Sequence, residues 1–159
     1  MSVGSGVDVW RLQADAGRDG VAKLVVGAVV HMGGRVLILR RSVDDPFMAG
    51  IEELPSGGVE PGEDLIAALG RELAEEIGWA GQLVLDPGFV THFDYVSGSG
   101  RRARQYTFGL AHDGRPIVLS AEHTGSRWLG AHEVADSDVT AETARTILDW
   151  AEARTGKRR

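Results

Sequence analysis

The residues best suited to chemistry in this sequence are three glutamates in Arg71-Glu72-Leu73-Ala74-Glu75-Glu76. On a helix with Glu72 at zero, Glu75 falls at about 300° and Glu76 at about 40°, so the carboxylates share one sector. Ile66, Leu69, Leu73 and Ile77 fall between about 60° and 140°, forming a narrow apolar stripe that must face a core. The acidic sector adjoins that stripe and is therefore expected on the rim of the packed surface. Like charges at i,i+3 and i,i+4 repel, by about 0.2–0.5 kcal/mol per pair in an isolated helix. The three also sit in the C-terminal half, where the helix dipole disfavours anions. Helix stability gives no reason for them; a hard divalent cation offsets both costs. Mg²⁺ takes oxygen ligands and keeps several waters, which leaves room for substrate phosphates, and Mn²⁺ suits the same donors.

Just upstream, Leu54-Pro55-Ser56-Gly57-Gly58-Val59-Glu60-Pro61-Gly62-Glu63 is rich in glycine but contains no lysine. It is not a Walker-type phosphate cradle, which requires GxxxxGK[ST]. Its glycines instead let backbone carbonyls approach a metal. Gly57, Glu63 and the run Arg71-Glu72-Leu73-Ala74-Glu75-Glu76-Ile77-Gly78-Trp79 together resemble the Nudix box, G-x5-E-x7-R-E-U-x-E-E-x-G-U. Every fixed position is met; Trp79 stands where a bulky aliphatic is usual. The strand Arg35 to Arg41 and the segment Arg127-Trp128-Leu129 look like the family's flanking strands, so the resemblance spans residues 22 to 155. It implies an α/β/α sandwich with a central mixed β-sheet.

The resemblance also implies roles. Glu72, Glu75 and Glu76 correspond to the metal carboxylates, and the carbonyl of Ser56 to a backbone metal ligand. Gly57, Glu63 and Arg71 correspond to the supporting set, with Arg71 tying the loop to the helix. Glu122, six positions before Trp128, stands where some MutT-type members place an extra metal-binding or basic glutamate. The implied reaction is Mg²⁺-assisted attack of water on a diphosphate, with Glu75, Glu76 and Glu122 as candidate bases. Tyr95 stands roughly where diadenosine-polyphosphate hydrolases of this family carry a tyrosine. Arg102 and Arg104 follow a Gly-Ser hairpin tip and are candidates for binding substrate phosphate. Four of the histidines, His31, His112, His123 and His132, are scattered and show no zinc spacing.

The implied substrate is a nucleoside triphosphate or another nucleoside diphosphate derivative. ADP-ribose and dinucleotide polyphosphates are the alternatives within the family, and a nucleotide-sensing module without turnover is the alternative outside enzymology. The intact set of glutamates favours catalysis. A homodimer is the expected assembly, because many relatives form one.

The rest of the chain must position these groups. At 159 residues it suits one domain. It has no cysteine, which excludes disulfides, thiolate zinc sites and cysteine nucleophiles. The net charge of −6 argues against a nucleic acid polymer as partner, while a bridging cation still allows phosphates to bind. No apolar run is long enough for a membrane span, and the start lacks the pattern of a secretion signal, so a cytoplasmic location is expected.

Residues 1–20 read as a loose arm or short edge strand, 21–155 as the domain and 156–159 as a basic tail, with fraying expected from Arg154 onward. Leu24 to Val30 and Arg35 to Arg41 predict a hairpin turned at Gly33-Gly34. A helix is predicted from Asp64 to Ile77, stopped by a left-handed Gly78. Strands are predicted over 82–85, 89–96, 104–111 and 126–129, with Ser97 to Gly100 as a hairpin tip. A helix capped by Thr140 runs to about Arg154.

Overall fold

The apolar run after residue 22 does form the central strand. In the computed structural model, which describes residues 6–46 and 48–156, strand β1 is Lys23–Met32 and β2 is Arg35–Arg41. The others are β3 Glu52–Glu53, β4 Ser56–Gly58, β5 Leu85–Val96, β6 Arg102–Ala111 and β7 His123–Gly130. The helices are α1 Val9–Arg18, α2 Leu65–Ile77 and α3 Ala141–Thr155, and a 3-10 helix covers Ala131–Asp136. Among the described residues the sheet has seven strands and is mixed: β1 runs parallel to β6, and the other pairings are antiparallel.

The feature that makes the site is a fork. β1 and β2 pair only at one end, through His31–Val36 and Met32–Arg35. Towards the other end they part, and the stretch from β3 to β4 bridges the gap. β3 pairs with β2 at Leu39 and Arg40, and β4 pairs with β1 at Val25, Val26 and Gly27. The close crossing requires a bare backbone at Gly27, where a Cβ would lie 2.7 Å from the Gln105 amide nitrogen and 3.1 Å from the Pro55 carbonyl.

One sheet face packs on α1 and α2. Val26, Ala28, Val30, Leu37, Leu39, Tyr106 and Phe108 meet Leu65, Leu69, Leu73 and Ile77, the stripe read from the sequence. The other face packs on α3, where Val29, Val36, Ile38 and Leu129 meet Ile147 and Trp150. This is the expected α/β/α layering. Asp64 caps α2 by accepting from the Ala67 N–H, and Gly78 ends it at φ 73°. Thr140 caps α3 as predicted.

Three expectations need correction. The described part of residues 1–20 is not a loose arm, because it forms α1. Asp8 caps this helix, Ala16 is buried, and Val9 and Leu12 pack on the core. The Tyr106 hydroxyl donates to the Leu12 carbonyl and Gln13 accepts from the Leu65 N–H, so α1 is tied to both sheet and helix. Residues 1–5 lie outside the described part. The strands expected over 82–85 and 89–96 are not two: β5 runs from Leu85 to Val96, takes in the second whole and only the last residue of the first, and shifts register between Leu85 and Val90 around Pro87, since proline cannot donate to the ladder. Arg154 is not frayed: it belongs to α3, and its guanidinium lies 5.6 Å from the Trp150 ring. Residues 157–159 of the basic tail lie outside the described part. No helix among the described residues is long and apolar enough to cross a membrane.

Candidate metal and active site

Three pieces of chain meet at the fork: β4 with its loop, the C-terminal half of α2, and the start of β7. The helix ranks its glutamates by their angle from the apolar stripe. Glu76, nearest the stripe, is 4% exposed. The side chain of Glu72 is 13% exposed, and that of Glu75, farthest from the stripe, is 57% exposed.

Glu76 accepts the Ser56 N–H at 2.9 Å, which ties the helix to β4. Burial, opposed by that bond and reinforced by the charges of Glu53, Glu72 and Glu122, pushes its carboxyl up to about 8. Burial also raises Glu72, against Arg71, with Glu75 and Glu122 adding to the rise. A Cβ on Gly57 would run into the Glu72 carboxylate that Arg71 holds, so the bare backbone of glycine lets the loop rest on it.

Arg71 acts as the brace. Its Nε and Nη2 donate to Glu63 at 2.7 and 2.8 Å, Nη2 also donates to the Gly58 carbonyl at 2.8 Å, and Nη1 donates to Glu72 at 2.8 Å. This pairing with Arg71, helped by the Glu60 N–H, holds the Glu63 carboxyl down at about 2. One guanidinium thus locks the loop to the helix and orients one of the site carboxylates.

Glu122 is exposed, yet its carboxylate lies within 4.8 Å of ligand atoms from both Glu76 and His123. Sequence reasoning missed His123, along with Glu53 and Arg41. His123 Nε2 lies 2.8 Å from Glu53, and Arg41 donates to the same Glu53 oxygen at 2.9 Å and to Asp45. The Arg-Arg end of β2, the Glu-Glu pair before Leu54 and the Glu-His pair at the start of β7 were the available signals. None of them states which residue meets which.

The other candidates lie apart to different degrees. Tyr95 is half-buried and near enough to Glu53 for that charge to add to the rise that burial gives its phenol. Arg104 is buried and held by Asp94 at 2.6 Å and Asp19 at 2.9 Å, with its neighbour Tyr106 on the face covered by α1 and α2. Arg102 is exposed at the start of β6, with its guanidinium against Gly20. The structure brings Glu72, Glu76, Glu122 and Ser56 together; it leaves Glu75 at the rim and does not bring Arg102 or Arg104 to them.

The donor set fits a divalent cation. Among the described residues, Glu76 is buried beside other carboxylates with a single N–H as partner, and Glu72 has one arginine that it shares with Glu63. Hard oxygen donors with excess negative charge at one point are what such an ion requires.

A family model of the NUDIX domain matches residues 22–151. A putative 8-oxo-dGTP diphosphatase 2 from Mycobacterium tuberculosis is 35% identical over 133 residues, covering 84% of this chain and 90% of that one. A nucleoside triphosphatase, NudI, from Escherichia coli is 26% identical over 136 residues, covering 79% of this chain and 94% of that one. Among solved structures, an Ap4A hydrolase from C. elegans in a binary complex superposes with a TM-score of 0.72. It shares 22% identity over 85% of this chain and 99% of that one, which speaks to the fold. The chain belongs to the Nudix family. It is a hydrolase of acid anhydrides in phosphorus-containing compounds, with the α/β/α architecture of that family.

Proposed function

We propose that this protein hydrolyses the diphosphate linkage of a nucleoside triphosphate with Mg²⁺, at the site formed by Glu72, Glu76, Glu122 and the Ser56 backbone. The observation that carries this reading is the buried carboxylate of Glu76, beside Glu53, Glu72 and Glu122 and with no arginine or lysine paired to it among the described residues. A divalent cation held there supplies charge neutralisation of the diphosphate and lowers the pKa of the attacking water. The chain's own residues do the rest. Arg71 fixes Glu72 and the loop. Ser56 orients Glu76. Glu122, which is exposed, and Glu76 are the candidates to take the proton from the attacking water. Phe93 and Tyr95, ring centroids 5.9 Å apart on β5, offer aromatic surface for a base. A cavity of about 390 Å³ between β5 and α3, lined by Thr91, Phe93, Arg145 and Thr146 among others, adjoins Phe93.

A triphosphate is preferred because the names of the two sequence relatives specify triphosphate substrates. Incubation of the four ribo- and four deoxynucleoside triphosphates with Mg²⁺, with both products identified, tests the reading. The expected products are a nucleoside monophosphate and pyrophosphate. No metal-dependent turnover on triphosphates, ADP-ribose or dinucleotide polyphosphates, with binding retained, would instead support a nucleotide sensor.

A further inference from the structure

His123 is 5% exposed as a residue, and its side chain is fully buried. A buried imidazole normally pairs both ring nitrogens, but only one is paired here. Nε2 lies 2.8 Å from Glu53 Oε2, whereas Nδ1 is buried with no partner among the described residues. Glu53 is also held by Arg41 at 2.9 Å. It is therefore a charged acceptor, and Nε2 carries the proton. That leaves the Nδ1 lone pair free, in a ring of which one nitrogen lies within 4.8 Å of carboxylate oxygens from both Glu76 and Glu122. A carboxylate behind one imidazole nitrogen, the other unpartnered, in a ring beside an acidic cluster, matches the way histidine ligands are oriented in metal sites.

We propose that His123 Nδ1 is a nitrogen ligand to the divalent ion, beside oxygen donors from Glu76 and Glu122, with Glu53 and Arg41 orienting the ring. The inference rests on the metal-dependent hydrolase reading and adds to its oxygen set a borderline donor. A mixed nitrogen–oxygen centre follows the general affinity order of the divalent transition ions and binds them more tightly than Mg²⁺. Mn²⁺ is then a tighter ligand of this chain than Mg²⁺, and the difference resides in His123. The sequence offered only the adjacent pair Glu122-His123 as a signal, because the site takes one histidine and its remaining donor, Glu76, lies far away in the chain.

The test uses Mn²⁺ alone, without nucleotide. Pulsed EPR of the wild-type protein with Mn²⁺ is expected to show coupling to a directly bound ¹⁴N, and histidine labelled with ¹⁵N should replace it with the ¹⁵N coupling. That arm needs no mutation, so a folding defect does not blunt it. In His123→Gln, whose amide keeps a donor for Glu53, the coupling should vanish. Its Mn²⁺ Kd should rise about tenfold or more, while the Mg²⁺ Kd moves by less than about threefold. Bound Mn²⁺ without nitrogen coupling, or coupling that persists in His123→Gln, overturns the proposal. So does a failure to bind Mn²⁺. Mg²⁺-dependent triphosphate turnover, measured separately, then shows whether the hydrolase reading stands without it.

Discussion

Two buried glutamates, Glu52 and Glu76, sit about equally deep and meet opposite surroundings. Glu52 is 2% exposed and fully matched: Arg127 donates to both its oxygens at 2.7 and 2.8 Å, the Asp138 N–H adds a bond at 3.0 Å, and Arg40 stands 3.5 Å away. Its carboxyl is held below the ordinary range, by Arg127 above all and against the effect of burial. Glu76, 4% exposed, has one N–H and three acidic neighbours, and burial pushes it up. Glu52 joins β3 to β7 and to the chain before α3, which is a structural task. Glu76 keeps a carboxyl group where burial and acidic neighbours oppose its ionisation, which folding alone does not favour. A satisfied buried charge belongs to the scaffold, and an unsatisfied one points to a ligand.

Substitution should separate the two. Glu76→Gln is expected to lower kcat by about 10²–10⁴-fold, measured as pyrophosphate release under saturating Mg²⁺, without lowering Tm. A lower Tm with unchanged turnover would reverse the assignment of the two sites.

The pH dependence of stability should also differ in sign. In the metal-free fold Glu76 keeps its proton up to about pH 8, while unfolded it releases it near 4.5, so stability falls as pH rises through that window. Each pH unit crossed in that window costs about 1.4 kcal/mol, so the loss is of the order of a few kcal/mol. Glu52 works the other way. Its contribution is present above about 4.5 and fades as the pH falls towards its lowered folded value. Denaturant melts of metal-free protein between pH 5 and 8 should slope downward, and the slope should flatten in Glu76→Gln and with added Mn²⁺. A level profile in wild type would remove the claim that Glu76 is unbalanced.

Glu52→Gln should destabilise by about 2 kcal/mol, less than for a fully buried pair because Arg127 is 48% exposed. That corresponds to a Tm lowered by about 4–8 °C, with kcat at 25 °C within about threefold of wild type. The smallest effect is expected at the brace. Glu63→Gln weakens the hold of Arg71 on loop and helix and should raise the Mg²⁺ concentration needed for half-maximal rate about tenfold, with kcat recovered at high Mg²⁺. A kcat defect that excess Mg²⁺ leaves unchanged would place Glu63 in the chemistry instead.

Much of this was legible in one dimension. The box places its glutamates by helical geometry, and the angle from the apolar stripe predicts their order of exposure because α2 has one buried face. Asp64, Gly78 and Thr140 act through neighbours within a few residues, so local sequence suffices to find them. α1 was missed because the glycines around it masked the spacing of Val9, Leu12 and Ala16, which becomes decisive only when those side chains find the core. Arg104 looked free beside its hairpin tip because Asp19 and Asp94 reach it only in the fold.

By itself the sequence determined the helix that bears the carboxylates, the loop that must lack side chains, and through them the family. Tertiary structure alone decided the fork between β1 and β2 and the meeting of Glu53, Glu76, Glu122 and His123 within it. Helical spacing is a property of neighbouring residues, whereas these contacts join strands and a helix separated by tens of residues. Only packing of the whole sheet sets their distances.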